Sequence, residues 1–290
     1  MIPNAFNYYA PTTLGEAISL LTQHSENAKV LAGGHSLLPM MKFRIVEPQV
    51  LIDINQITGL SGIQESDGFL KIGGLTRHAE LEHSDLIRAK YPIVADAGKV
   101  IADPLVRNRG TVAGSLCHAD PAGDWASVML ALRAELVVNG PQGKRTISID
   151  DFLVGPFTTS LRTGEILTEI RVPIPKEKYG SAYWKLERKV GDFATAAVGT
   201  HVEVGKKGIC TQVGISLTGV GPKNLRASRA EDVLRGKIPD EETIQKAGKL
   251  AAEDSRPTAN ERGSEEYKRD LVRVLTVRAL KQSLERALRV

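Results

Sequence analysis

Two short glycine-bearing segments, Ala32-Gly33-Gly34-His35-Ser36 and Gly110-Thr111-Val112-Ala113-Gly114-Ser115, stand about eighty residues apart in the chain. Each follows a strand-like apolar run or a tight polar turn, and each leads into a new apolar segment. Glycine lets backbone N–H groups approach an oxyanion that any Cβ would hold away. Ser36, Thr111 and Ser115 flank these turns with short hydroxyls, suited to phosphate oxygens or to helix capping. One such segment says little, but two in one chain point to a shared ligand with a long phosphate-bearing body. Neither is followed by a lysine placed to neutralise a terminal phosphate. No Gly-x-Gly-x-x-Gly opens a helix after a strand, and no P-loop motif occurs. The pattern therefore favours an intact dinucleotide held along its diphosphate over a triphosphate being cleaved.

The elements that must position these segments are legible in outline. Leu14 to Leu21 has helical apolar spacing, Lys29–Ala32 reads as a buried strand ending in the first turn, and residues 36–43 form a helical turn or more. Residues 49–54 and 69–74 are further strands, while 8–13 read as a loop. From Thr76 the pattern is helical to Ala97, and residues 125–134 form a second helix. A hairpin over 136–149 and a proline-marked strand at 169–175 end this half. Beyond residue 177, strands at 182–186, 194–204 and 209–217 precede helices at 240–252 and 265–288. The last helix carries an apolar stripe through Leu271, Val274, Leu275 and Ala279, expected to dock on its own domain.

Composition sets the class. At 290 residues, two domains or a subdivided one are expected, and 42% hydrophobic with 25% charged residues is ordinary for a globular chain. The net charge of +4 arises from interspersed signs, which disfavours nucleic acid as a partner. Two cysteines, Cys117 and Cys210, fit a reducing compartment, and the adjacent Cys117-His118 lacks a second pair at zinc-ligand spacing. No signal peptide or membrane span is expected, so the location reads as cytoplasmic, with room for a peripheral seat on the inner membrane face.

Four stretches then fall into one pattern: Ala32–Ser36, Thr111–Gly114, the run Leu116-Cys117-His118-Ala119-Asp120-Pro121-Ala122-Gly123-Asp124, and Gly191-Asp192-Phe193-Ala194-Thr195-Ala196-Ala197. In this order and spacing they resemble the medium, FAD-binding subunit of molybdenum hydroxylases, the carbon monoxide dehydrogenase and xanthine dehydrogenase family. The resemblance covers essentially the whole chain. Ala113 stands where many members carry glycine, and Phe193 where carbon monoxide dehydrogenases tend to carry tyrosine. The resemblance implies an α+β molecule with the FAD-binding fold of the vanillyl-alcohol-oxidase or p-cresol methylhydroxylase type. Its FAD-binding domain would span 1–176, in subdomains of about 1–60 and 61–176, followed by an antiparallel sheet with helices over 177–290.

The same resemblance implies a set of FAD-binding residues: Ala32, Gly33, Gly34, His35, Ser36, Leu37, Thr111, Val112, Ala113, Gly114, Ser115, Asp124, Leu161, Lys185 and Phe193. Asp124 would accept from FAD hydroxyls, its other role being to cap the helix beginning at Trp125. Lys185 and Leu161 would line the flavin ring, though a surface lysine on a strand is commoner; Phe193 would cover one ring face. His35 receives a positioning role, since these subunits hold FAD without a covalent bond. Asp120 reads as structural; Arg107 and Arg109 have solvated surface as their default and adenine phosphates or an acidic subunit as the alternative. No side chain is assigned acid or base work on substrate.

The resemblance also implies a division of labour. Substrate is oxidised at molybdopterin in a large subunit, and electrons cross [2Fe–2S] clusters in a small subunit. They reach FAD here and leave to an external acceptor, within a heterotrimer or its dimer. Two cysteines are too few for a cluster that needs four thiolates, which places the clusters elsewhere. Carbon monoxide, an aldehyde or an N-heterocycle all fit as substrate. A self-sufficient flavin oxidase of the same fold is the alternative, and a non-redox nucleotide-binding module is a third reading.

Overall fold

The run Val50–Asp53 lacks polar alternation, and it forms a strand buried almost throughout, as the centre of a parallel sheet requires. In the computed structural model, which describes residues 2–289, it lies between Asn7–Tyr9 and Ala28–Leu31, parallel to both. Asn7–Tyr9 falls where the sequence reads as a loop. Three exposed residues on a sheet edge are too short to show a period, and pairing with Val50–Ile52 decides their conformation. Helix Leu14–His24 covers this sheet through Ala17 and Leu21, with the Thr13 hydroxyl accepting from the Glu16 N–H.

A five-stranded antiparallel sheet follows, in the order Ile63–Ser66, Phe69–Gly73, Ile166–Pro173, Glu135–Gly140, Gly143–Ser148. The helical pattern from Thr76 resolves into three helices, His78–His83, Asp85–Lys90 and Pro92–Val100. The breaks are local: Ser84 caps the second helix, and Pro92 sits at the first turn of the third. Helix Asp124–Ala131 is buried on every side, which suits its apolar sequence. It stops short of Ala134 because Arg133 turns into the left-handed region at φ 53°. Trp125, Met129, Leu136 and Phe152 lie in the core shared by these elements.

The third sheet is antiparallel, in the order Lys178–Glu187, Ala194–Val204, Cys210–Thr218, Leu225–Arg226. Its central strand Ala194–Val204 is buried along its whole length. Helices Ser228–Leu234, Glu241–Asp254 and Glu265–Arg289 complete a second core through Ala247, Leu275 and Leu280. The terminal helix packs on its own sheet, as its stripe suggested: a Cβ on Gly180 would lie 2.0 Å from the Ser283 carbonyl oxygen.

Candidate functional site

The two glycine segments touch one another. A Cβ on Gly33 would lie 2.4 Å from the Arg109 carbonyl oxygen and 2.7 Å from the Gly110 Cα, so backbone meets backbone there. Two side chains that sequence reading passed over tie the pair together. Arg77 donates to the Arg109 carbonyl at 2.5 Å and to the Asn55 side chain at 2.6 Å, and Asn55 donates to the Ala32 carbonyl at 2.8 Å. Gly34, at φ +76°, makes the turn that starts helix Leu37–Lys42.

The second segment is not a glycine turn. Thr111 is the N-cap of a helix, Val112–His118, and its hydroxyl accepts from the Gly114 N–H at 3.1 Å. Gly110 serves packing, since a Cβ there would lie 2.6 Å from His78 Nε2. Of the flanking hydroxyls, Thr111 caps the helix as an acceptor, a role that leaves its O–H able to donate to a ligand. Ser36 makes no capping bond although it precedes a helix, which leaves its hydroxyl available to a ligand.

A cavity of about 580 Å³ opens along the junction, within the range of cofactor sites. Every residue of the expected set lines it except Val112, whose side chain is fully buried in the core. The glycines leave backbone exposed at one end. Ile101, Phe157, Leu161 and Phe193 supply apolar wall elsewhere. A cradle of bare backbone joined to an apolar slot fits a dinucleotide with a flat ring system.

Asp124 and Lys185 meet although they lie on a helix and on a strand. Lys185 Nζ is 3.1 Å from Asp124 Oδ2, and Tyr183 donates to Asp124 Oδ1 at 2.7 Å. Both expectations for their alternative roles are corrected. The cap position belongs to Gly123, and Asp124 is the first helical residue, its carboxylate held by side chains instead. Lys185 is no surface residue: its side chain is 2% exposed. Burial pushes the Asp124 carboxyl up, and the Lys185 ammonium and Tyr183 hydroxyl pull against that. Burial, followed by the Asp124 charge, raises the Tyr183 hydroxyl well above its ordinary value.

Several lining residues were given no FAD-binding role from the sequence. His78 is 5% exposed and accepts from the Trp125 indole N–H at 3.0 Å. His118 stacks at a tilt on Phe157, with ring centroids 5.2 Å apart. Cys117 also lines the cavity, its thiol pushed up to about 12 by burial. Asp120 is structural, accepting from the Ala122 N–H at 2.9 Å. Arg109 is exposed, as expected of solvated surface, but Arg107 is not. It donates to Glu82 at 2.7 Å and to the Ile101 and Ala102 carbonyls, pinning the loop that forms part of the cavity wall.

Known proteins share this sequence pattern and fold. The profile of the FAD binding domain in molybdopterin dehydrogenase matches residues 4–175, and that of the CO dehydrogenase flavoprotein C-terminal domain matches residues 181–283. The carbon monoxide dehydrogenase medium chain of Hydrogenophaga pseudoflava is 43% identical, covering 97% of each chain. The nicotine 6-hydroxylase medium subunit of Paenarthrobacter nicotinovorans is 36% identical over 95% of this chain and 96% of that one. The carbon monoxide dehydrogenase structure from Hydrogenophaga pseudoflava that lacks the Mo-pyranopterin moiety superimposes with a TM-score of 0.95, covering 99% of each chain. The chain belongs to the FAD-binding medium subunits of the molybdenum hydroxylases.

This medium subunit is thus an oxidoreductase component with FAD as its cofactor, and its mixed helix-and-sheet fold is that of the carbon monoxide dehydrogenase medium subunit. It belongs with multi-subunit dehydrogenases of the carbon monoxide dehydrogenase type. Among the described residues, no helix is long and apolar enough to cross a membrane.

Proposed function

We propose that this medium subunit carries FAD in the cavity between the two glycine segments and relays electrons from a partner's clusters to an external acceptor. The juxtaposition of Gly33 and Gly110 with the buried Asp124–Lys185 pair carries the reading, since it brings four separated parts of the chain to one cavity. Ala32 to Leu37 and the start of helix Val112–His118 would hold the diphosphate, with Ser36 and Ser115 donating. Asp124 retains lone pairs for FAD hydroxyls beyond those given to Tyr183 and Lys185. Leu161 and Phe193 would bound the ring, and His35, exposed at the cavity, would orient without bonding covalently. FAD supplies a centre that accepts and releases electrons, and the protein supplies binding, orientation and charge around it.

The partners in this reading are an iron–sulfur small subunit and a molybdopterin large subunit, in a heterotrimer or its dimer located in the cytoplasm. Residues 1–176 form the FAD domain and 177–290 the second domain. The purified chain should show flavin absorbance that leaves the protein on denaturation, and should co-purify with iron- and molybdenum-bearing chains. A colourless chain indifferent to added FAD contradicts the cofactor reading. A lone chain whose flavin is reduced directly by substrate contradicts the relay.

A further inference from the structure

Alternation along the strand Lys178–Glu187 sets Tyr183, Lys185 and Glu187 on one face, while Trp184 and Leu186 pack on the second core. At the strand's end the register slips, with Leu186 opposite Ala196 and Glu187 opposite Ala194. Such irregularities re-aim a side chain, and they concentrate beside functional sites. The three protons of the Lys185 ammonium face Val100 O at 2.9 Å, Asp124 Oδ2 at 3.1 Å and Glu187 Oε2 at 3.2 Å. Glu187 Oε1 accepts from the Gly191 N–H at 3.2 Å. Its Oε2 is buried without a well-aligned hydrogen bond, so the ion pair with Lys185 is its compensation.

Glu187 therefore has two ends. One bears on a cation that lines the cavity; the other holds the loop 188–193, of which Gly191, Asp192 and Phe193 line the same cavity. That loop is seated tightly, for a Cβ on Gly191 would lie 2.9 Å from the Ala102 carbonyl oxygen. Glu187 does not itself line the cavity. Arg188, next in the chain, and Arg262 are engaged with Asp192, and Glu187 pairs with Lys185.

We propose that Glu187 is a positioning residue that sets how much of the Lys185 charge the flavin feels, and so lowers the flavin's reduction potential. The proposal rests on the reading of the cavity as the FAD site. Reduction adds negative charge to the ring system, which an unshared Lys185 ammonium favours and a carboxylate behind it opposes. With Asp124 and Glu187 both ionised, the cluster of two carboxylates and one ammonium carries one excess negative charge. Removing the Glu187 charge leaves Lys185 balanced by Asp124 alone. By linkage, the change in potential equals the change in relative affinity for the two redox forms.

The test is a spectroelectrochemical titration of FAD bound to the full chain, with FAD affinity measured alongside. Glu187→Gln keeps the acceptor for the Gly191 N–H and removes the charge. It should favour the reduced form over the oxidised by about tenfold, raising the midpoint of a two-electron couple by about 30 mV. Glu187→Asp keeps the charge and should stay near the wild-type midpoint. An unchanged midpoint in Glu187→Gln, whether FAD affinity is kept or weakened, would overturn the proposal, and so would equal shifts in both variants. A wild-type chain that takes up no FAD would instead defeat the reading of the cavity, and this proposal with it.

Discussion

His78 couples its own protonation to the placement of the second segment. Its Nδ1 accepts from Trp125, which puts the proton of the neutral ring on Nε2, beside Gly110. Burial, then the neighbouring His35, Arg77 and Arg107, lower its pKa to about 4. The unfolded chain takes up this proton near pH 6.5 and the folded chain only near pH 4. Stability from this group is thus complete above pH 6.5 and is lost as pH falls toward 4. A shift of that size corresponds to about 3 kcal/mol. Urea unfolding followed by tryptophan fluorescence at pH 7 and pH 4.5 should show this loss in the wild type and a smaller one in His78→Gln. Equal losses in the two proteins would show that His78 does not titrate between those limits.

At the scale of elements, the cavity depends on how closely the turn before helix Leu37–Lys42 approaches the segment before helix Val112–His118. Gly33→Ala drives a methyl into the Arg109 carbonyl, where no flexible side chain can yield. We expect a cost of about 1–3 kcal/mol from overpacking and at least a tenfold loss in FAD affinity. Thr111→Ala removes a cap and should cost about 1 kcal/mol, with a weaker effect on FAD. Thermal unfolding and FAD titration of both variants check this order; a Gly33→Ala chain that binds FAD as the wild type does would refute the contact. The sequence offered Gly33 as a residue that admits a phosphate; it also admits the other segment, 76 positions away (109 − 33). No local pattern encodes that distance. The short helix Val112–His118 was equally hidden, because its seven residues have apolar contacts on more than one side and show no clean period.

At the scale of the whole molecule, the cavity draws on all three sheets, with Val30, Leu167 and Lys185 each contributing from a different one. Gly33, Gly34 and Thr111 belong to the first sheets and their helices, whereas Lys185 lies near the end of a strand of the third sheet and Phe193 follows that strand. The two tryptophans happen to report on each core, Trp125 in the first and Trp184 against the second. A ligand that touches the first core and Lys185, on the strand whose other face packs on the second core, should stabilise both. At a hundred times its Kd, FAD should raise the unfolding free energy by about 2.7 kcal/mol. Single-tryptophan variants, Trp125→Phe and Trp184→Phe, should then report the same FAD-dependent rise in melting temperature. A rise seen by Trp125 alone would mean that the second core contributes nothing to binding.

The sequence by itself determined the order of most strands and helices, the segments that line the cavity, and the family to which the chain belongs. These follow from periodicity, from glycine and hydroxyl residues at fixed local spacing, and from motifs written in consecutive positions. The tertiary structure decided the rest: that Asp124 is held by Lys185 and Tyr183 rather than capping a helix, that Lys185 is buried, that Arg77 and Asn55 join the glycine segments, and that Val112 faces the core. Each of these depends on which parts of the chain become neighbours when three sheets close around one cavity. Burial and pairing are properties of that enclosure, and residue type alone does not carry them.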